Sequence, residues 1–175
     1  MSEAEYSLQI RPMVLQDLKD IFYTVHQKIK AVDTSATYQG FTIEHVFGME
    51  TGKGEAAERP NILEVARLID LSLVAEFEGT PCGFIVGRQT YLAERDILEG
   101  EIVVIGIHPD YRGKGIAAKL VNSLCDLFIS RGVRVLRVGI DPLDHQLLSF
   151  FEGLDFSGQR LLYLTRELQL PKKPD

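Results

Sequence analysis

Arg112, Gly113, Lys114 and Gly115 stand close together in "IGIHPDYRGKGIAAKLV", Ile105 to Val121, between an apolar β-type run and a helical pattern. Those residue types at that spacing bind phosphate. A helix N-terminus leaves backbone N–H groups without intrahelical partners, and its dipole favours anions. Glycine lets phosphate oxygens approach those amides, and each charge-assisted bond contributes about 1.5–3 kcal/mol, so three or four could anchor a diphosphate. A Walker loop is excluded, because Gly115 follows Lys114 where Ser or Thr is required. Gly113, Gly115 and Ala118 satisfy the dinucleotide pattern G-x-G-x-x-A, and Asp141 lies beyond the next strand. That pattern wants its first glycine at the strand end, whereas "HPDYR" intervenes, so dinucleotide binding is a remote alternative.

The elements that must position this junction follow from periodicity. "YSLQIR" alternates Tyr6, Leu8 and Ile10 on one face as a strand ended by Pro12. Leu15, Leu18, Phe22, Val25 and Ile29 recur at helical steps. The glycine-rich stretch from Ala31 to Pro60 reads as a long functional loop with short helical pieces, before a short helix from about Asn61 to Asp70. "SLVAEF" and "CGFIVGRQTY" form a hairpin around Glu78 to Pro81, and a second hairpin turning near Glu94 to Gly100 feeds "EIVVIGI". Leu120, Val121, Leu124, Leu127 and Phe128 mark a helix ending before Gly132, and "VRVLRVGI" is the next strand. Asp141-Pro142 reads as N-cap and first position of a last helix, with Leu143, Leu147, Phe151 and Leu154 inward. "RLLYLTREL" closes as a strand. The expected product is one mixed α/β domain over residues 1–175, with a core over about 6–168 and a solvated tail over 169–175.

From about Tyr6 to Leu168 the chain resembles the GNAT superfamily of N-acetyltransferases. "RGKGIA", Arg112 to Ala117, matches that superfamily's Q/R-x-x-G-x-G/A loop, and "SFFEGLDF" is similar to its F-Y-E-K-x-G-F segment. The resemblance implies a mixed, mostly antiparallel sheet flanked by helices, with two central strands splayed apart. It implies that acetyl-CoA, the acyl donor, lays its pantetheine arm in the splay. Ile105 and Ile107 would offer main-chain contacts beside Gly106, while Arg112, Gly113, Lys114, Gly115, Ile116 and Ala117 hold the diphosphate. Asp144 occupies a position where relatives often place a cofactor-contacting Asn, and Phe151 lies in the second signature. Gly106, isolated within a β run, independently suggests a bulge or a close backbone approach.

Acetyl transfer to an amine needs a neutral amine, and neutralising a lysine-like group of pKa about 10.4 costs roughly 4–5 kcal/mol at neutral pH. Glu101 is the candidate general base. It opens "EIVVIGI" eleven residues before Arg112, a spacing shared with the histone-acetylating branch of the superfamily. Apolar neighbours Ile102 to Ile105 would raise its pKa. Relatives often carry a proton-donating Tyr in the F-Y-E-K segment, where this chain has Phe151 after Phe150. Another donor such as Tyr163 or His145 then serves, or solvent does, or catalysis is weak, while His108 reads as a turn residue. Gly139 stands where the branch acetylating ribosomal-protein N-termini has a catalytic Glu, which argues against that activity. The resemblance places acceptor entry over Thr34 to Pro60 and the Tyr91–Glu101 turn. Glu94, Asp96, Glu99 and Glu101 there suit a cationic amine.

The implied activity is therefore direct acetyl transfer to a primary amine, of a small molecule, a protein lysine or an N-terminus, in a ternary complex. A non-catalytic acyl-CoA-binding regulatory module is the alternative. A net charge of −6 argues against nucleic acid and anionic membranes, and no apolar run approaches the ~20 residues of a membrane span. Cys82 and Cys125 read as free thiols in a reducing cytoplasm, and no metal-ligand spacing is present, so no metal is expected. Dimers are common among similar proteins, and a homodimer is compatible with the sequence.

Overall fold

The computed structural model describes residues 7–33, 62–93 and 96–158. The expected strand "RLLYLTREL", Tyr163, the Thr34–Pro60 segment and Glu94 lie outside those residues.

Strand β1, Leu8–Pro12, pairs antiparallel with β2, Ser72–Phe77. Between them runs a helix, α1, in three consecutive pieces: Asp17–Asp20, a π-wound Ile21–His26, and Gln27–Val32. The π winding turns Val25 and His26 inward together, both fully buried. Of the expected stripe Leu18, Val25 and Ile29 are buried, Ile21 joins them, and Leu15 is exposed ahead of the helix. Helix α2, Ile62–Asp70, then leads into β2.

Glu78 and Gly79 both take positive φ, 51° and 76°, and turn β2 into β3, Thr80–Leu92. Two such residues match the twist of a hairpin, so Thr80 and Pro81 already belong to the strand. Strand β4, Ile97–Ile107, is antiparallel to β3 and begins four residues earlier than "EIVVIGI", so Glu101 lies inside the strand instead of opening it. Helix α3, Ile116–Ser130, crosses over to β5, Val135–Val138, which is parallel to β4. The sheet order is β1-β2-β3-β4-β5.

Helix α4, His145–Glu152, is capped by Asp144, whose Oδ1 accepts from Leu147 N at 3.0 Å. The cap is thus Asp144, three residues beyond the expected Asp141, which instead turns the chain by accepting from Leu143 N at 2.9 Å. Leu143 precedes the helix and is exposed, contrary to its expected inward placement.

Because strand side chains alternate, the sheet is buried on both faces. Leu73, Ala75, Ile85 and Ile102 pack on α3 through Leu120, Leu124 and Phe128. Val74, Phe84, Val86 and Val104 pack on α1 through Ile21, Val25 and Ile29. Each fully buried side chain of this size contributes about 1.5–3 kcal/mol. Among the described residues no helix is long and apolar enough to cross a membrane.

Candidate functional site

Strands β4 and β5 pair only from Glu99 against Val135 to Ile102 against Val138. Beyond Ile102, β4 continues for five residues while β5 stops, four residues short of the strand expected to reach Ile140 at both ends taken together. The parting coincides with a bulge. Val86 faces Val104 but Gly87 faces Ile102, so Val103 is an extra residue in β4. The bulge therefore sits at Val103, and Gly106 pairs regularly with Phe84. Glycine is needed at 106 because a Cβ would meet Phe84 Cε1 at 2.6 Å and Ile29 Cδ1 at 2.8 Å.

The parted strands open a cleft of about 490 Å³. Ile102 to Ile107 form one wall, and Val138 and Gly139 form the other. Arg112, Gly113, Gly115, Ile116 and Ala117 close one end, and Asp144, Leu147, Phe150 and Phe151 line the side nearest α4. The structure thus gathers Ile105, Gly106, Ile107, the glycine junction, Asp144 and Phe151 around one space.

The closed end is built by the turn before α3. His108 Nδ1 accepts from Asp110 N at 3.2 Å and starts the short 3₁₀ turn Pro109–Tyr111, the turn role expected of it. Gly113 and Gly115 have φ of 75° and 73°, values costly for other residues, and a Cβ at either would meet nothing within 4 Å. Gly115 is the N-cap of α3 and offers no side chain, so no capping side chain takes up the first-turn amides. Arg112 Nε donates to Ile107 O at 3.3 Å, and its Nη2 reaches Asp33 Oδ2 at 3.2 Å. Lys114 departs from the cluster. Its Nζ lies 4.9 Å from the centre of the Tyr111 ring and 5.7 Å from that of Phe77, outside the cleft lining.

Asp33, Ile29, Tyr111, Gln146 and Phe150 also line the cleft and were not singled out from sequence. Asp33 and Arg112 are 79 residues apart, so no local pattern joins them.

Glu101 sits one residue before the cleft wall, facing the α1 side of the sheet because Ile102 faces α3. Arg88, opposite it on β3, donates Nε to Glu101 Oε2 at 3.1 Å and Nη2 to the same oxygen. Each member of the expected acidic cluster within the described residues has a hydrogen-bond partner, Glu101 in Arg88. Asp96 accepts from Tyr91 OH at 2.6 Å, and Glu99 accepts from Arg137 Nη2 at 2.6 Å. His145 is an exposed first residue of α4. Phe151 is buried, edge-on to Phe150 and Phe156 at 5.0 and 5.1 Å. Cys82 and Cys125 are free, and burial pushes both thiols up. No group of metal-ligating side chains occurs among the described residues.

The architecture is that of an acetyltransferase. An aminoglycoside acetyltransferase from an uncultured soil metagenomic sample, in complex with sisomicin, superposes with a TM-score of 0.63 at 17% identity, covering 95% of this chain and 100% of its own. A possible acetyltransferase from Clostridium difficile 630 gives a TM-score of 0.66 at 16% identity, covering 93% and 99%. An acetyltransferase of Yersinia pestis (strain Pestoides F) is 32% identical over 99 residues, 57% of this chain, and the match spans 66% of that relative's length. Residues 43–156 match the Acetyltransferase (GNAT) family, and the chain belongs to it.

Proposed function

We propose that the protein transfers an acetyl group from acetyl-CoA to a primary amine, directly, with donor and acceptor bound together. The observation that carries this reading is the cleft where β4 leaves β5, ended by an uncapped helix N-terminus beside Arg112. The space in front of Gly113 and Gly115 fits a diphosphate, and the unpaired edge of β4 fits an amide-bearing chain.

Acetyl-CoA supplies an activated thioester when bound. The chain's residues do the rest. Amides from Gly113 to Ala117 hold the diphosphate with Arg112, and the backbone of Ile105 and Ile107 orients the pantetheine arm past Gly106. Asp144 fixes the start of α4, and Phe151 packs the wall beside the arm. Glu101 accepts the acceptor ammonium's proton, directly or through water. Tyr163 is the assigned proton donor to the departing thiolate. The amine comes in over α1 and the segment that follows it.

The second reading, a non-catalytic acyl-CoA-binding module, draws on two observations: Arg88 already holds Glu101, and Phe151 has no hydroxyl. One experiment separates the two. Release of free coenzyme A thiol is followed over a panel of amines, with wild type, Glu101→Gln and Gly115→Glu. The transferase reading expects amine-dependent release, a fall of about 10²-fold or more in Glu101→Gln with cofactor affinity intact, and loss of cofactor binding in Gly115→Glu. Tight cofactor binding without release by any amine establishes the regulatory module instead. Unchanged affinity in Gly115→Glu moves the site elsewhere.

A further inference from the structure

The charged groups around Glu101 specify more than a base. Arg88 faces Glu101 across β3 and β4, and Arg137 is its partner in register on β5. Alternation puts all three on the α1 side of the sheet, with Glu99 two residues away on the same side. The result is a row across three strands in which a carboxylate stands between two guanidiniums.

The row is partly open. Side-chain exposure is 56% for Arg88, 40% for Glu101 and 35% for Arg137, against 7% for Glu99. Its donors are not used up. Arg137 commits Nη2 to Glu99, while its Nε has no hydrogen-bond acceptor among the described residues. A guanidinium presents five N–H donors, so the exposed part of Arg137 keeps donors beyond the one given to Glu99. The two anions and two cations balance. A polycation meets no net attraction there and is repelled by both arginines, whereas a molecule bearing one amine and one acid is matched at both ends.

Resting on the acetyl-transfer reading, we propose that the acceptor is an amino acid or similar small amine that also carries an acid. Its amine lies at Glu101, and its carboxylate is bound by Arg137 and Arg88. Neighbouring strands are about 5 Å apart, so the amine and acid are separated by only a few bonds.

The test compares matched pairs that differ by the acid alone: β-alanine with ethylamine, γ-aminobutyrate with propylamine, and lysine with cadaverine. Thiol release gives kcat/KM for each. The expected result is a preference of about tenfold or more for the acid-bearing member of at least one pair. That preference collapses in Arg88→Gln and in Arg137→Gln and is retained in Arg88→Lys, while coenzyme A affinity stays as in wild type. Arg88→Gln remains informative if Arg137→Gln fails to fold, because Arg137 rather than Arg88 pairs with buried Glu99. Turnover with equal or better use of the decarboxylated amines overturns the acid-bearing acceptor and leaves the transferase standing. A preference that survives Arg88→Gln undiminished also overturns it. No turnover with any amine, despite bound coenzyme A, overturns both readings together.

Discussion

Arg112 is held in place by a residue that would oppose its proposed role. Asp33 holds the guanidinium at the closed end of the cleft, yet it adds a carboxylate to the lining of that same cleft. An anion arriving there competes with Asp33 for Arg112. Asp33→Asn is therefore expected to tighten coenzyme A binding severalfold, on the scale of about 0.2–1 kcal/mol for an exposed ion pair. Isothermal calorimetry checks this, and weaker binding would show that Asp33 organises Arg112 more than it opposes the ligand. At this scale the sequence was legible where chemistry is local. Gly113 and Gly115 were readable as a turn free of side chains, because positive φ and absent Cβ atoms are properties of those residues themselves. Glu101's pairing with Arg88 and the cation–π seat of Lys114 depend on what folds against them, and nothing in the flanking sequence carries that information.

Between elements, a staple ties β1, α1 and β2 at the sheet edge. Arg11 donates from Nη1 to Asp17 Oδ2 at 2.8 Å and from Nη2 to Asp17 Oδ1 at 2.7 Å, and also binds Glu76. Burial disfavours the charge on Asp17, but the Arg11 bonds and the Val14 N–H outweigh it and hold the carboxyl below its usual range. A lowered native pKa contributes stability that is present above the ordinary carboxyl range, about pH 4, and disappears as pH falls through the native value. Asp17→Asn should cost about 1.5–3 kcal/mol near neutrality, and urea titrations from pH 7 down to pH 2 should show its gap from wild type closing. The cleft wall supplies a second expectation. Gly106→Ala drives a methyl into Phe84 and Ile29 and should cost about 1–3 kcal/mol, read as a lower thermal midpoint. Phe84→Leu in the same chain should recover part of that loss. Helices and hairpins were legible here from period and turn chemistry. The bulge at Val103 was not, because register is a property of two strands, and a lone glycine was the only local hint.

Across the whole molecule, two apolar cores sit on opposite faces of one sheet, and the cleft opens at the line where that sheet divides. A ligand filling the cleft would touch β4, the start of α3 and α4 at once, and so tie together elements the sheet alone leaves apart. Coenzyme A at about one hundred times its Kd should add roughly 2.7 kcal/mol of stability, a rise of about 5–10 °C in thermal midpoint. Gly115→Glu should show no such rise in the same scan. The order of elements was legible because each is coded locally, and so was the mixed α/β class. The dividing line was expected only through the family resemblance, since parting of β4 from β5 is set by where pairing stops. That parting leaves the far end of β4, Val103 to Ile107, without a neighbour on the β5 side among the described residues. Bare main chain of that kind zips readily onto any extended segment that comes near. A molecule lodged along it is also a sheath, so protein stored empty should clump sooner than protein kept charged with its ligand.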